Sequence, residues 1–245
     1  MYIDKMSSQS VEFKPKKEQE KTVLPPNRTV KFSFTITYIL LLTTATITFI
    51  EAMRTKNPTV RHILNLETCI SIVAGYFYSL FVANVTEYET ANQPINWQQI
   101  AETRYIDWII TTPIMLLVLC VVLANEIQLV VHLPVIATII ALNYAMLYAG
   151  YLGETTSINR TTANLLGFVP FAAMFGIIYW KYVAPKYNAA NRALFYLYLV
   201  IWSLYGVVYY FEDETKNIAM NILDLVAKCF VGLGLWVYYV HIIRI

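Results

Sequence analysis

Lys228 stands near the middle of an apolar stretch, in the run Asn221-Ile-Leu-Asp224-Leu-Val-Ala-Lys228-Cys-Phe. Asp224 precedes it by four residues, which on a helix is one turn, about 6 Å along the same face. A second apolar stretch opens with Arg104-Tyr-Ile-Asp107-Trp108-Ile-Ile-Thr111-Thr112-Pro113. Its i, i+3 and i+4 spacings set Arg104, Asp107 and Thr111 on one face. If the two faces met, two carboxylates, one Arg and one Lys would nearly neutralise each other. An ionisable residue inside an apolar span is by default a functional-site hypothesis. The plainer alternative is an internal salt bridge that fixes helix packing, although buried pairs seldom add net stability because desolvation offsets their attraction. The lysine amine has a second use. It can condense with an aldehyde to form a Schiff base, and nearby carboxylates would keep that imine protonated.

The elements that must position these groups are membrane helices. Of the 245 residues, 58% are hydrophobic and 14% charged, and the mean hydropathy is +0.51. Soluble domains carry nearly twice that charged fraction, about 25%. The apolar residues come in stretches of about 20, as a hydrocarbon core of ~30 Å requires of a helix. Seven spans are expected, at about 33–53, 59–84, 103–124, 127–151, 161–182, 190–211 and 217–242. Backbone polar groups cannot be left bare in lipid. Short connections, apart from the polar segment 85–102, make sequential helices antiparallel neighbours in one bundle. The fold class is therefore all-α, a seven-helix bundle spanning a lipid bilayer, over residues 31–245. Residues 1–30 are polar and Lys-rich, lack the apolar core of a signal peptide, and read as a flexible tail.

Cys69, Cys120 and Cys229 all lie in apolar stretches, which argues against a disulfide framework or a metal site. A net charge of +2 is too small to suggest a nucleic-acid partner. The loops after the first and fifth spans carry Arg54, Lys56, Arg61, Lys181, Lys186 and Arg192. The opposite loops carry Glu87, Glu89, Glu102, Glu212, Asp213 and Glu214. The positive-inside rule then sets the N-terminus outside and the C-terminus in the cytoplasm. The sequons at Asn27, Asn84 and Asn159 fall on that outer side, whereas the Lys-rich tail runs against the assignment.

The third-span string R-Y-I-D-W-x-x-T-T-P and the seventh-span D-x-x-x-K resemble the signatures of the microbial (type I) rhodopsins. Trp202-Ser203-Leu204-Tyr205 is similar to that family's W-x-x-Y retinal wall, with Tyr209 at a further aromatic position. Gly150-Tyr151-Leu152-Gly153-Glu154 resembles the proteorhodopsin branch. The resemblance covers residues 33–242. It implies all-trans retinal bound to Lys228, Asp107 as counterion and proton acceptor, Asp224 as second counterion, and Arg104 on the outer side. It further implies that Trp108, Thr112, Met115, Trp202, Tyr205 and Tyr209 surround the chromophore and that Thr111 hydrogen-bonds Asp107. A large apolar ligand needs rigid aromatic walls, though most of the 19 Tyr must serve packing or the interface instead. The apolar Met115, two turns beyond Asp107, implies green rather than blue absorption. Many members of the family form trimers or pentamers, which implies a homo-oligomer.

The chain departs from the family's proton pumps at Val118, eleven residues after Asp107, where they carry a carboxylate that reprotonates the Schiff base. Without a donor within reach, that step should be slow. Polar residues elsewhere suggest an ion path: Glu67 in the second span, Asn221 in the seventh, and the threonines of the first. Glu67 could instead snorkel to water, and threonines are more often bonded back to their own helix. The Asn221-x-x-Asp224 spacing, Arg61 and the missing donor also resemble the rhodopsins of giant viruses. The expected function is thus a light-gated cation channel rather than an enzyme. In it, all-trans to 13-cis isomerisation precedes proton transfer to Asp107. The alternatives are a slow outward proton pump and a photosensor acting through a separate partner.

Overall fold

The computed structural model describes residues 28–242. Among them the regular structure is entirely helical. The tail expected over 1–30, with the Asn27 sequon, lies outside the described residues except for Arg28, Thr29 and Val30, which open the first helix. Seven helices are long and apolar enough to cross a membrane: α1 Arg28–Arg54, α2 Pro58–Ala91, α3 Trp97–Glu126, α4 Leu133–Glu154, α5 Arg160–Val183, α6 Ala189–Val208 and α7 Asp213–Val240. All seven expected spans are present.

Their ends differ from the expected ones for identifiable reasons. The segment 85–102, read as a loop, is mostly helix, and only residues 92–96 connect α2 to α3. Asn92 ends α2 in the left-handed conformation at φ 51°, its N–H closing on the carbonyls of Tyr88 and Glu89. Asn tolerates that region better than most side chains. Asn96 then starts α3 by accepting a hydrogen bond from the Gln99 N–H at 3.1 Å. Asn57, Asn159 and Asn188 cap α2, α5 and α6 in the same way, at 2.9, 2.7 and 3.0 Å. Such caps contribute about 1 kcal/mol each. Helix α7 begins four residues early because Asp213 and Glu214 suit the positive end of a helix dipole.

Large apolar side chains point outward along the bundle, among them Phe32, Phe49, Leu165, Val169, Val200 and Val207. In water such a surface would drive association, whereas in lipid it is the favourable solvent contact. Helix α3 is the most enclosed of the seven. The turns at 55–57 and 184–188 define a basic end, flanked by Arg54, Arg61 and Lys186, and the opposite end is acidic. In α1, the hydroxyls of Thr35, Thr37, Thr43, Thr46 and Thr48 bond carbonyls one turn back at 2.8–2.9 Å. These hydroxyls are bonded back to their own helix, and that of Thr48 also meets Thr68 of α2 at 2.8 Å. Helix α7 widens into π geometry over Leu225–Phe230, and Lys228 lies in that segment. Such bulges recur at functional sites.

Candidate functional site

The two charged faces meet. Lys228 Nζ donates to Asp107 Oδ2 at 2.8 Å and lies 3.6 Å from Asp224 Oδ2. Arg104 Nη1 stands 3.6 Å from the same Asp224 oxygen. Two cations therefore face two carboxylates, and all four side chains are almost wholly buried. A charge in such surroundings is tolerable only if paired and hydrogen-bonded. The pairing is dense. Tyr205 donates to Asp224 Oδ1 at 2.5 Å and Tyr78 to Asp224 Oδ2 at 2.7 Å. Arg104 donates to Tyr78, Asn217 and Asn221 at 3.2, 3.0 and 2.8 Å. Its guanidinium is boxed by the rings of Phe81, Phe34 and Tyr78, with centroids 5.1–5.8 Å away, within cation–π range. The Thr111 hydroxyl bonds the Asp107 carbonyl at 2.9 Å and approaches Asp107 Oδ1 at 3.3 Å.

On the α4–α6 side of Lys228 is a largely apolar cavity of about 120 Å³. Trp108, Thr112, Met115, Trp202, Tyr205 and Tyr209 line it, together with Asp224 and Lys228. Trp108 and Tyr205 meet edge to face at 5.4 Å, which fixes both rings. Thr112 is held by the Asn143 amide at 2.8 Å, and Tyr209 donates to the Gly150 carbonyl at 2.9 Å. Two lining glycines set the wall spacing. A Cβ at Gly150 would strike the Tyr105 hydroxyl, and one at Gly206 would strike the Phe168 ring. An apolar, aromatic-walled cavity with one primary amine at its edge, beside two carboxylates, fits retinal held through that amine.

The structure thus brings together Arg104, Asp107, Thr111, Asp224 and Lys228, and it gathers Trp108, Thr112, Met115, Trp202, Tyr205 and Tyr209 around one cavity. It does not bring Glu67 to them. Glu67 lies on the basic-end side, 1% exposed, so it does not snorkel to water. Asn221 joins the charged cluster: its oxygen accepts from Arg104, and its amide donates to Ser33 at 2.9 Å. Val118 is packed in the core. Sequence reasoning missed Tyr78, Asn217 and Ser33. Tyr78 carries a usable signal, since it lies eleven residues, about three turns, after Glu67 on the same face of α2.

The family model for bacteriorhodopsin-like proteins matches residues 28–242. Archaerhodopsin-2 of Halobacterium sp. (strain aus-2) is 29% identical over 66% of this chain and 64% of that protein. The green-light absorbing proteorhodopsin of Gamma-proteobacterium EBAC31A08 is 24% identical over 54% of this chain and 59% of its own length. The chain therefore spans somewhat under two thirds of these two curated relatives. Among solved structures, the viral rhodopsin OLPVRII superposes with a TM-score of 0.79 at 45% identity, covering 86% of this chain and 97% of that one. The proton pumping rhodopsin AR2 from the marine alga Acetabularia acetabulum shares the fold, with a TM-score of 0.70 at 20% identity over 89% of this chain and 97% of that one. By the extent of the family match and its likeness to the viral structure, the chain belongs to the bacteriorhodopsin-like family, the microbial rhodopsins, whose members are light-driven transporters or photoreceptors.

Proposed function

We propose that this chain carries all-trans retinal on Lys228 and transports protons outward when illuminated, with residues 31–245 as the working unit and the basic end in the cytoplasm. The observation that carries the reading is the 2.8 Å contact between Lys228 Nζ and Asp107 Oδ2, a proton donor and acceptor already within transfer distance. When bound through the amine, retinal would supply visible absorption and a light-triggered all-trans to 13-cis change of shape, and Nζ would hold the mobile proton. Asp107 takes that proton on Oδ2. Asp224 stays charged beside Arg104, because Tyr78 and Tyr205 both donate to its oxygens. The Trp108, Trp202 and Tyr205 rings confine the ligand, so that its movement is felt at Nζ rather than lost in a loose pocket. Arg104, bonded to Asn217 and Asn221, stands between this site and the acidic end and can stabilise a proton leaving that way.

A light-gated cation channel is the second reading. Buried polar oxygens of Thr44, Glu67 and Ser71 on α1 and α2 favour it. One contact weighs toward proton transport. The Asn221 oxygen is bound to Arg104, and a fixed guanidinium is a poor neighbour for a passing cation. Whole-cell voltage clamp under green light separates the readings. Current that stays outward at every holding potential supports transport, whereas current that reverses with the imposed gradient establishes a channel. Lys228→Ala should abolish the visible band, and a retained band would refute the attachment site.

A further inference from the structure

We propose that Asn164 gives the cavity a preference for a retinal that carries a hydroxyl on its ring; this rests on the reading above that Lys228 holds the ligand. With the aldehyde end fixed at Lys228 on α7, the ring lies toward the far wall, which α4, α5 and α6 build from Met146, Gly150, Asn164, Gly167, Phe168 and Gly206. In that wall Asn164 is the polar side chain, and its two polar atoms are used unequally. Its Nδ2 donates to the Gly206 carbonyl at 2.7 Å. That carbonyl is free to accept because α6 is ending: the Tyr210 N–H turns to the Val207 carbonyl instead, at 3.3 Å. The capping bond fixes which way the amide faces. Its oxygen is left 3.7 Å from where a Cβ on Gly206 would stand, over a residue of the cavity wall. Among the described hydrogen bonds, Asn164 takes part only as the donor to Gly206.

The cavity's other polar groups are already engaged. Thr112 donates to the Trp108 carbonyl at 2.6 Å and accepts from Asn143 at 2.8 Å. Tyr205 donates to Asp224, and Tyr209 to the Gly150 carbonyl. The Tyr105 hydroxyl is turned onto Gly150. On the outer face of α5, Leu165, Leu166 and Phe168 stand exposed beside Asn164, and hydrocarbon offers no donor. A polar atom enclosed without a partner carries a desolvation cost, and few native side chains leave one unmet. A ligand ring of carbon and hydrogen alone leaves that cost in place. A ring hydroxyl removes it by donating to the Asn164 oxygen. An ammonium would also donate, but it would bring an unpaired charge against an apolar wall. The wall has room for one more oxygen, since a Cβ on Gly167 would meet nothing nearer than 3.5 Å.

The test offers the retinal-free protein in lipid an equal mixture of all-trans retinal and all-trans 3-hydroxyretinal, then counts the two after release by hydroxylamine. The hydroxylated form should be enriched about five-fold, the net effect of one hydrogen bond. All-trans 3-methoxyretinal, which adds bulk but no donor, should show no enrichment over retinal. In Asn164→Leu the preference should fall to parity while a visible band still forms, and Tyr105→Phe should keep it. With carbon-13 asparagine, one side-chain carbonyl signal should differ between the retinal and hydroxyretinal forms, and that difference should vanish in Asn164→Leu. Parity in wild type, a preference that survives Asn164→Leu, or one lost in Tyr105→Phe would overturn the proposal. The wild-type competition decides even where the leucine variant fails to fold. If neither retinal gives a visible band, the Lys228 reading falls first and the proposal with it.

Discussion

Tyr78 has a single hydroxyl hydrogen, and Asp224 receives it at 2.7 Å while Arg104 donates to the same oxygen at 3.2 Å. Tyr78→Phe keeps the ring that packs against Phe34 and Phe81 but removes both bonds. Leaving buried charged groups short of partners costs about 1–3 kcal/mol. The variant should bleach at a lower temperature than wild type and show a displaced absorption maximum; an unchanged midpoint would mean that Asp224 is satisfied by Tyr205 alone. Asp107→Asn removes the nearer counterion of Lys228 and should red-shift the band while blocking proton transfer, which flash spectroscopy would read directly. The charged members of this cluster were legible in the sequence because ionisable residues stand out in apolar spans. Tyr78 was overlooked among 19 tyrosines, because its spacing from Glu67 gives only the shared face of α2 and not where its hydroxyl lies. Asn217 and Ser33 were hidden for a similar reason: small polar residues near helix ends serve many purposes.

At the scale of elements, hydropathy located all seven helices but set several ends short or long by a turn or more. It measures where the bilayer is, while the helices end where capping groups stop them. The polar residues 85–91 continue α2 until Asn92 closes it. Close helix crossings were equally invisible. Gly153 of α4 admits the Tyr209 hydroxyl and the Ala163 methyl to its surface, so a Cβ there would overlap both. Gly153→Ala should therefore cost about 1–3 kcal/mol and shift the Tyr209 ring into the cavity it lines. A thermal melt and the absorption maximum would report the two effects, and a wild-type melt would show that α4 and α6 can separate freely. The π segment of α7 was also beyond sequence reading, because its period differs from the α-helix by less than one residue per turn.

Across the whole molecule, the acidic end is fastened by ions. Lys216 of α7 lies 2.9 Å from Glu154 of α4 and 3.0 Å from Asp213, and Arg160 of α5 is 3.5 Å from both carboxylates. Lys216 and Glu154 are nearly buried, so Lys216→Met leaves a carboxylate with only Arg160 to balance it. The loss should be about 3 kcal/mol, measured as faster thermal bleaching in detergent, whereas a stability equal to wild type would mean that Arg160 alone closes this end. The contact between Lys228 and Asp107 has an electrical consequence. When a proton passes between them, the pair goes from two opposite charges to none, and Arg104 with Asp224 still sums to zero. No naked ion appears in the low-dielectric interior. One elementary charge shifts by at most the 2.8 Å that separates the two atoms, against a hydrocarbon slab ~30 Å thick. That first displacement current should amount to no more than about a tenth of a full charge crossing. On the proton-transport reading, nearly all of the voltage generated must come from the slower movements on either side of the lysine.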